Sequence, residues 1–475
     1  MPARELRSEL RSVIFINIAL HFIGMCDIIS EIKRVYYCIH GFDRIQRRTG
    51  LRYRILPRSI QMEDIMKNYR KVLGLTLAAT MAVGMLAGCG STATGDTATS
   101  QTADSAASSA DAATSTAAEG GTFKIGVIGP LTGAAAAYGS AVANAAQIAV
   151  DEINAAGGMN GYQVELKSED DELDSTKSVN AYNTLKDWGM QFLLGSVTSG
   201  CSIAVSEETK NDNMFQLTPS GSAVDCVKYD NAFRVCFSDP AQGTASAQYI
   251  GTHKLADKVG VIYDSSDVYS SGIYQSFETE AANQGFEIVS AEAFTSDNKT
   301  DFSVQLQKAK DAGAELVFLP IYYTEASLIL AQANTMDYKP TFFGCDGMDG
   351  ILSVENFDTS LAEGLMLLTP FSADATDDLT VNFVKAYEDK YNGEVPNQFA
   401  ADSYDGVYAI KAAIEKAGIT PDMSISDICE GMKTAMTQIS VDGLTSSAIT
   451  WDASGEPTKE PKAVVIKDGA YALAE

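Results

Sequence analysis

Two clusters of hydroxyl and glycine residues follow directly on short apolar runs: Ser196-Val197-Thr198-Ser199-Gly200 after Phe192–Gly195, and Pro219-Ser220-Gly221-Ser222 after Met214–Thr218. A third segment, Gly129-Pro130-Leu131-Thr132-Gly133, leads through Tyr138-Gly139 into a helical pattern. Hydroxyls and free backbone N–H groups at the point where a strand feeds a helix can hold a carboxylate or a phosphate. Each cluster alone could be an ordinary helix cap. Two in succession in one half of the chain point to an anion cradle. Later apolar runs end at Asp239 (in Ser238-Asp239-Pro240-Ala241-Gln242-Gly243), at Tyr322 and at Asp346-Gly347. A carboxylate at a strand end can receive an ammonium, although turns also use Asp for their own geometry. Anion-binding ends in one half and acids in the other suit a zwitterion.

Catalytic and metal chemistry find less support. After residue 72 the only histidine is His253, which leaves no His pair for a metal and one isolated general base. There is no Gly-x-Ser-x-Gly elbow, P-loop or His-Glu-x-x-His. Glu169-Asp170-Asp171-Glu172 with Asp174 lacks the alternation and central glycine of a calcium loop and reads as a solvated strand end. A binding protein with no cofactor and no metal is therefore expected, not an enzyme. Cys201, Cys226, Cys236, Cys345 and Cys429 are odd in number and contain no Cys-x-x-Cys. In an exported chain Cys226 and Cys236 could close a short disulfide loop, with Cys201 and Cys345 as competing partners.

The charge balance divides the chain. Residues 1–71 carry 14 Lys and Arg against 7 Asp and Glu, whereas residues 72–475 carry 21 against 55. So acidic a body repels nucleic acid and anionic lipid. From Met66 the sequence shows Lys67, Arg70 and Lys71, then the apolar run Val72–Ala87, then Leu86-Ala87-Gly88-Cys89. That is the layout of an export signal, and its ending resembles the bacterial lipobox, which implies lipidation at Cys89 and cleavage just before it. The apolar run is shorter than the roughly 20 residues a membrane span needs. Met66 is the expected start, with residues 1–65 set aside, 66–88 as signal peptide and 89–121 as a Ser/Thr/Ala tether that buries nothing.

Beyond the tether, apolar runs alternate with amphipathic stretches: Phe123–Leu131, Tyr162–Lys167, Phe192–Gly195, Met214–Thr218, Phe233–Phe237, Val259–Tyr263, Phe286–Val289, Leu316–Ile321, Thr341–Gly344 and Leu365–Thr369. Val142–Asn154 places Val142, Ala145, Ala146, Ala149, Val150 and Ile153 on one stripe, and Gly157-Gly158 stops it. Phe302–Ala312 and Asn382–Tyr391 repeat the helical pattern. Such alternation means βαβ units and parallel sheets, and this many strands suit two lobes better than one sheet.

These residues resemble the branched-chain amino-acid-binding type of ABC-transporter substrate-binding protein, from about Phe123 to Tyr471. The resemblance rests on Ile125-Gly126-Val127 with Gly133 and Tyr138-Gly139, Asp151-Glu152-Ile153-Asn154 before Gly157-Gly158, Asp170-Asp171, Thr218-Pro219-Ser220, Phe233-Arg234 with Asp239-Pro240 and Gln242-Gly243, and Ile449-Thr450-Trp451-Asp452. It implies a type I periplasmic-binding-protein fold: α/β, with two doubly wound parallel-sheet lobes joined by three hinge crossovers. With crossovers near Ser238, Pro370 and Thr450, the first lobe would comprise 122–238 and 371–449 and the second 239–370 and 450–475. The resemblance further implies that Ser199, Ser220 and Ser222 hold a ligand carboxylate, that Asp239, Tyr322 and Asp346 face its ammonium, and that Tyr138, Val197, Thr198, Tyr269 and Phe399 form the side-chain pocket.

Thr445-Ser446-Ser447-Ala448 stands where the family often has an apolar or glycine-containing segment, and Thr198 puts a hydroxyl in the pocket wall, so the cargo need not be Leu, Ile or Val. The expectation is a monomeric, lipid-anchored receptor on the extracytoplasmic face of the plasma membrane that delivers an amino acid to an ABC permease. A ligand-sensing module for a membrane receptor, or a receptor for an amide, urea or other small solute, shares the same site chemistry.

Overall fold

The computed structural model describes residues 121–459 and 461–474. The proposed signal peptide, Cys89 and most of the tether lie outside these residues. All ten apolar runs contain strands. The chain opens with β1 (Phe123–Gly129), α1 (Ala136–Ala155), β2 (Val164–Asp170), α2 (Ser175–Trp188), β3 (Phe192–Gly195), α3 (Ser199–Asp212), β4 (Phe215–Thr218) and β5 (Ala232–Arg234). These strands form a parallel sheet in the order β2-β1-β3-β4-β5. The predicted stripe of α1 is buried throughout. Its stop is steric: Gly158 has φ +87°, and a Cβ there would lie 2.0 Å from the Tyr162 carbonyl oxygen.

The second sheet follows: α4 (Asp239–His253), β6 (Lys258–Asp264), α5 (Val268–Gln284), β7 (Glu287–Phe294), α6 (Ser303–Asp311), β8 (Leu316–Leu319), α7 (Tyr323–Thr335), β9 (Thr341–Gly344) and β10 (Met366–Thr369). The chain then returns to the first lobe with α8 (Asp378–Lys390), α9 (Gln398–Ala417) and α10 (Ile425–Met436), where α9 packs along α1. It ends with β11 (Lys462–Lys467) and β12 (Ala470–Leu473) back on the second sheet, whose order is β12-β11-β10-β9-β8-β6-β7. Three chain connections thus join two doubly wound lobes. The sheet is not wholly parallel, as the sequence suggested, because β10–β11 and β11–β12 pair antiparallel. A parallel partner needs a long crossover, whereas Asp468-Gly469, both at positive φ, lets the last two strands turn back directly.

Both strand orders reverse direction once, between β1 and β3 in the first sheet and between β6 and β8 in the second. At such a switch point successive loops diverge and leave a crevice at the strands' C-terminal ends. The Ser196–Ser199 and Tyr322 segments start at these two crevices.

Candidate functional site

Between the lobes lies a cavity lined by Tyr138, Val197, Thr198, Ser199, Ser220, Tyr269, Tyr322, Asp346 and Phe399, all anticipated, together with Gly347. Helix starts supply most of them: Tyr138 comes from the first turn of α1, Ser199 opens α3, Tyr269 lies near the start of α5, and Phe399 is the second residue of α9. Aromatic rings crowd the space. Tyr138 and Phe399 have centroids 4.3 Å apart, Tyr269 stacks on Tyr322 at 5.0 Å, and Tyr138 meets Tyr322 edge-on at 5.7 Å. The free volume in this closed arrangement is about 20 Å³, roughly the room of a single water.

On the first-lobe side, Thr198 precedes α3 without capping it by a side-chain bond, and its buried Oγ1 has no partner. Ser199 Oγ accepts from the backbone N–H groups of Ser222 (3.2 Å) and Ala223 (3.1 Å), so its own proton is free to donate. Ser220 Oγ donates to the Val197 carbonyl at 2.7 Å, which leaves it lone pairs and no proton. Beneath this loop the wholly buried Arg234 donates to the carbonyls of Gly221 and Ala223 at 3.1 Å and to that of Ser222, and it pairs with Glu456 at 3.1 Å.

On the second-lobe side, Asp346 accepts from Tyr269 Oη at 2.7 Å and from Gln242 Nε2 at 3.0 Å. Burial pushes its carboxyl up to about 7, the Tyr269 hydroxyl opposes this, and the charge of Asp402 adds to it. Gln398 ties the lobes together by donating from Nε2 to the Asp346 carbonyl at 2.9 Å. Tyr138 Oη, donating to the Gly347 carbonyl at 2.5 Å, does the same.

Two anticipated residues stand apart from this cavity. Asp239 packs against α5, where a Cβ on Gly272 would lie 2.9 Å from its Oδ2, and neither carboxylate oxygen has a hydrogen-bond partner. Burial holds the Asp239 carboxyl well above the usual range, with Asp346 adding to the effect and Ser222 and Arg234 opposing it. The Ser222 hydroxyl is turned to Asp239 without closing a bond, while its backbone N–H serves Ser199. Neither residue is among those lining the cavity, although the Asp239 carboxyl feels the charge of Asp346. The proposed disulfide is also absent, since Cys226 and Cys236 are free and buried. Cys226 Sγ lies 3.7 Å from the Ser199 carbonyl, and Cys236 feels the charges of Arg234, which also acts on Cys226, and of Asp402, Asp346 and Lys459. Among the described residues no group of three or more His, Cys, Asp or Glu side chains is placed to hold a metal.

Sequence reasoning missed the partners that orient the site. Gln242 stood within a quoted motif, but only the fold shows it bracing Asp346. Gln398 carried no signal. Arg234 was visible beside Phe233, yet its target, a row of backbone carbonyls, has no side-chain signature.

Comparison with known proteins agrees with this geometry. Residues 122–470 match the periplasmic binding protein family. A Leu/Ile/Val-binding protein homolog 3 of Brucella melitensis is 32% identical over 302 residues, covering 63% of this chain and 80% of that one. The leucine-, isoleucine-, valine-, threonine- and alanine-binding protein of Pseudomonas aeruginosa is 28% identical over 301 residues, covering 62% and 79%. Among solved structures, the branched-chain amino acid transporter substrate-binding protein of Streptococcus pneumoniae, in complex with isoleucine, superposes with a TM-score of 0.68 at 29% identity, covering 75% of this chain and 99% of that one. Sheet order, the inter-lobe cleft and the sequence match lead to one assignment: this chain belongs to the periplasmic binding protein family.

Proposed function

We propose that this protein is the extracytoplasmic, lipid-anchored receptor of an ABC importer and that it captures an α-amino acid between its lobes for delivery to the permease. The observation that carries this reading is the pairing, in one buried cavity, of a carboxylate with an uncapped helix start. Asp346 would take the ammonium, helped by the lone pairs of Ser220. Ser199 and the first N–H groups of α3 would take the carboxylate. This assignment moves Ser220 from the anion to the cation, because its proton is already committed to Val197. Tyr138, Tyr269, Tyr322 and Phe399 would close over the side chain once their rings part to admit it. The named relatives that bind leucine, isoleucine, valine or threonine support this ligand class.

The unpartnered Thr198 hydroxyl favours a cargo that can satisfy it, which places small hydroxyl-bearing amino acids beside the branched aliphatic ones. The test is thermal denaturation of the full-length protein against a panel of amino acids, amides, peptides and ureas. A ligand at 100 times its dissociation constant adds about 2.7 kcal/mol. A panel in which no α-amino acid raises the transition would end the amino-acid reading.

A further inference from the structure

Next to the cleft the start of α7 meets the start of α1, and each helix lends a hydroxyl to the other. Neither is capped by its own N-cap side chain: Ala135 before α1 and Tyr322 before α7 make no such bond. The first N–H groups of a helix need partners from outside it. Here the partners come from across the lobe boundary. Tyr323 Oη, in the second lobe, accepts from the Ala137 N–H of α1 at 3.1 Å, and Tyr138 Oη, in the first, accepts from the Tyr323 N–H of α7 at 3.3 Å. Thr324 Oγ1 adds a third bond by donating to the Ala134 carbonyl at 2.6 Å. The Tyr138 and Tyr323 rings cross edge to face with centroids 4.9 Å apart.

The packing around these bonds fits a built contact. Gly350 has φ +117°, and a Cβ there would lie 3.3 Å from the Tyr323 ring and 3.4 Å from Ala137 Cβ, so a glycine leaves room for the two lobes to meet. Asn397 holds the same turn of α1 from its own lobe, its Nδ2 donating to the Ala137 carbonyl at 3.2 Å. Tyr323 is 6% exposed, and its ring is buried by this meeting of the lobes. Neither Tyr323 nor Thr324 lines the cavity. Their bonds run from protein to protein and act alike on every cargo.

On the reading that the lobes close over an amino acid, we propose that Tyr323 and Thr324 form an inter-lobe latch. It holds the closed conformation from outside the cleft, keeps a substantial share of the ligand-free protein closed, and scales the affinity for every cargo by one factor. The apparent affinity of a ligand that needs closed lobes is its intrinsic affinity multiplied by the closed fraction. Residues that line the cleft set the ranking of cargoes, whereas the latch sets only that fraction.

The test is small-angle X-ray scattering of the ligand-free full-length protein, joined to calorimetric titration with leucine, threonine and any further amino acid that raises the thermal transition. Tyr323→Phe and Thr324→Val each remove a hydroxyl and keep the shape. A neutral hydrogen bond is worth about fivefold in an equilibrium, so the double variant shifts closing by about 25-fold. Its radius of gyration should exceed that of the wild type, and the affinity for each amino acid should fall by one shared factor of about 3 to 25. Tyr338→Phe, which loses a bond to the Ala314 carbonyl (2.9 Å) inside the second lobe, should change neither. A radius of gyration unchanged in the double variant, or raised as much by Tyr338→Phe, overturns the latch. So does an affinity that is unchanged, or that falls by factors differing more than about twofold between amino acids. The scattering needs no ligand, so a larger radius in a protein that binds no amino acid upholds the latch while the amino-acid reading fails.

Discussion

Asp346→Asn should leave the ligand-free protein at least as stable at pH 8 while removing most of its affinity for an amino acid. The wild-type carboxyl rises from 3.8 to about 7 on folding. A raised carboxyl contributes stability that is fully present below its unfolded value and is lost as pH climbs through the folded one. At pH 8 the cost of keeping Asp346 ionised is therefore roughly 4 kcal/mol, at about 1.4 kcal/mol per tenfold change in proton affinity. Asparagine removes this cost and weakens the bonds from Tyr269 and Gln242, worth about 1.5–3 kcal/mol each while the acceptor is charged. The ligand-free variant should thus be no less stable at pH 8, and it should lack the wild type's loss of stability between pH 4 and pH 7. Binding moves the other way, because an ammonium without its buried partner loses about 2–5 kcal/mol, a factor of roughly 30 to several thousand. Thermal unfolding from pH 4 to pH 8, paired with calorimetric titration of the amino acid found by the panel, measures both. A variant that is destabilised at pH 8 and still binds within about threefold of wild type would refute the reasoning.

Lys459 and Asp402 pair at 2.6 Å with side chains 0% and 2% exposed, joining the last crossover to α9. Lys459→Met should cost about 3–5 kcal/mol by stranding a buried charge, and adding Asp402→Leu should recover most of it, as chemical denaturation of the set would show. Asp239→Asn should leave ligand affinity within about threefold and stabilise the fold at neutral pH, because the wild-type carboxyl is buried without a partner. A tenfold loss of affinity in titration would return Asp239 to the ammonium role. Thr198→Val should favour leucine over threonine by about 1–3 kcal/mol relative to wild type, since among the residues lining the cavity it removes the fully buried hydroxyl that has no partner. Competition between the two amino acids reads this out.

The elements written in periodicity were legible in the sequence. The α1 stripe and the ten apolar runs need only local spacing, and hydroxyls at strand ends mark switch-point crevices without reference to the rest of the chain. Ser222 and Asp239 show the limit. Neither lines the cavity, and spacing alone does not show which way a strand-end side chain turns; for Asp239 the neighbour is Gly272, a tertiary contact with no local signal. The pairing of Cys226 with Cys236 failed for a similar reason, as ten residues of separation say nothing of which way each thiol points. The β11–β12 hairpin was readable and overlooked, since Asp468-Gly469 between apolar runs is a hairpin signal.

That hairpin has a consequence for how the molecule is made. Met366–Thr369 pairs with β11, yet all of α8, α9 and α10 is synthesised between the two strands. Until β11 leaves the ribosome, β10 presents an open apolar edge to any neighbouring chain. Neither lobe is built from one uninterrupted stretch, so each waits for a later segment before it can finish folding. A chain without β11 and β12 would therefore carry a sticky strand in place of a finished sheet.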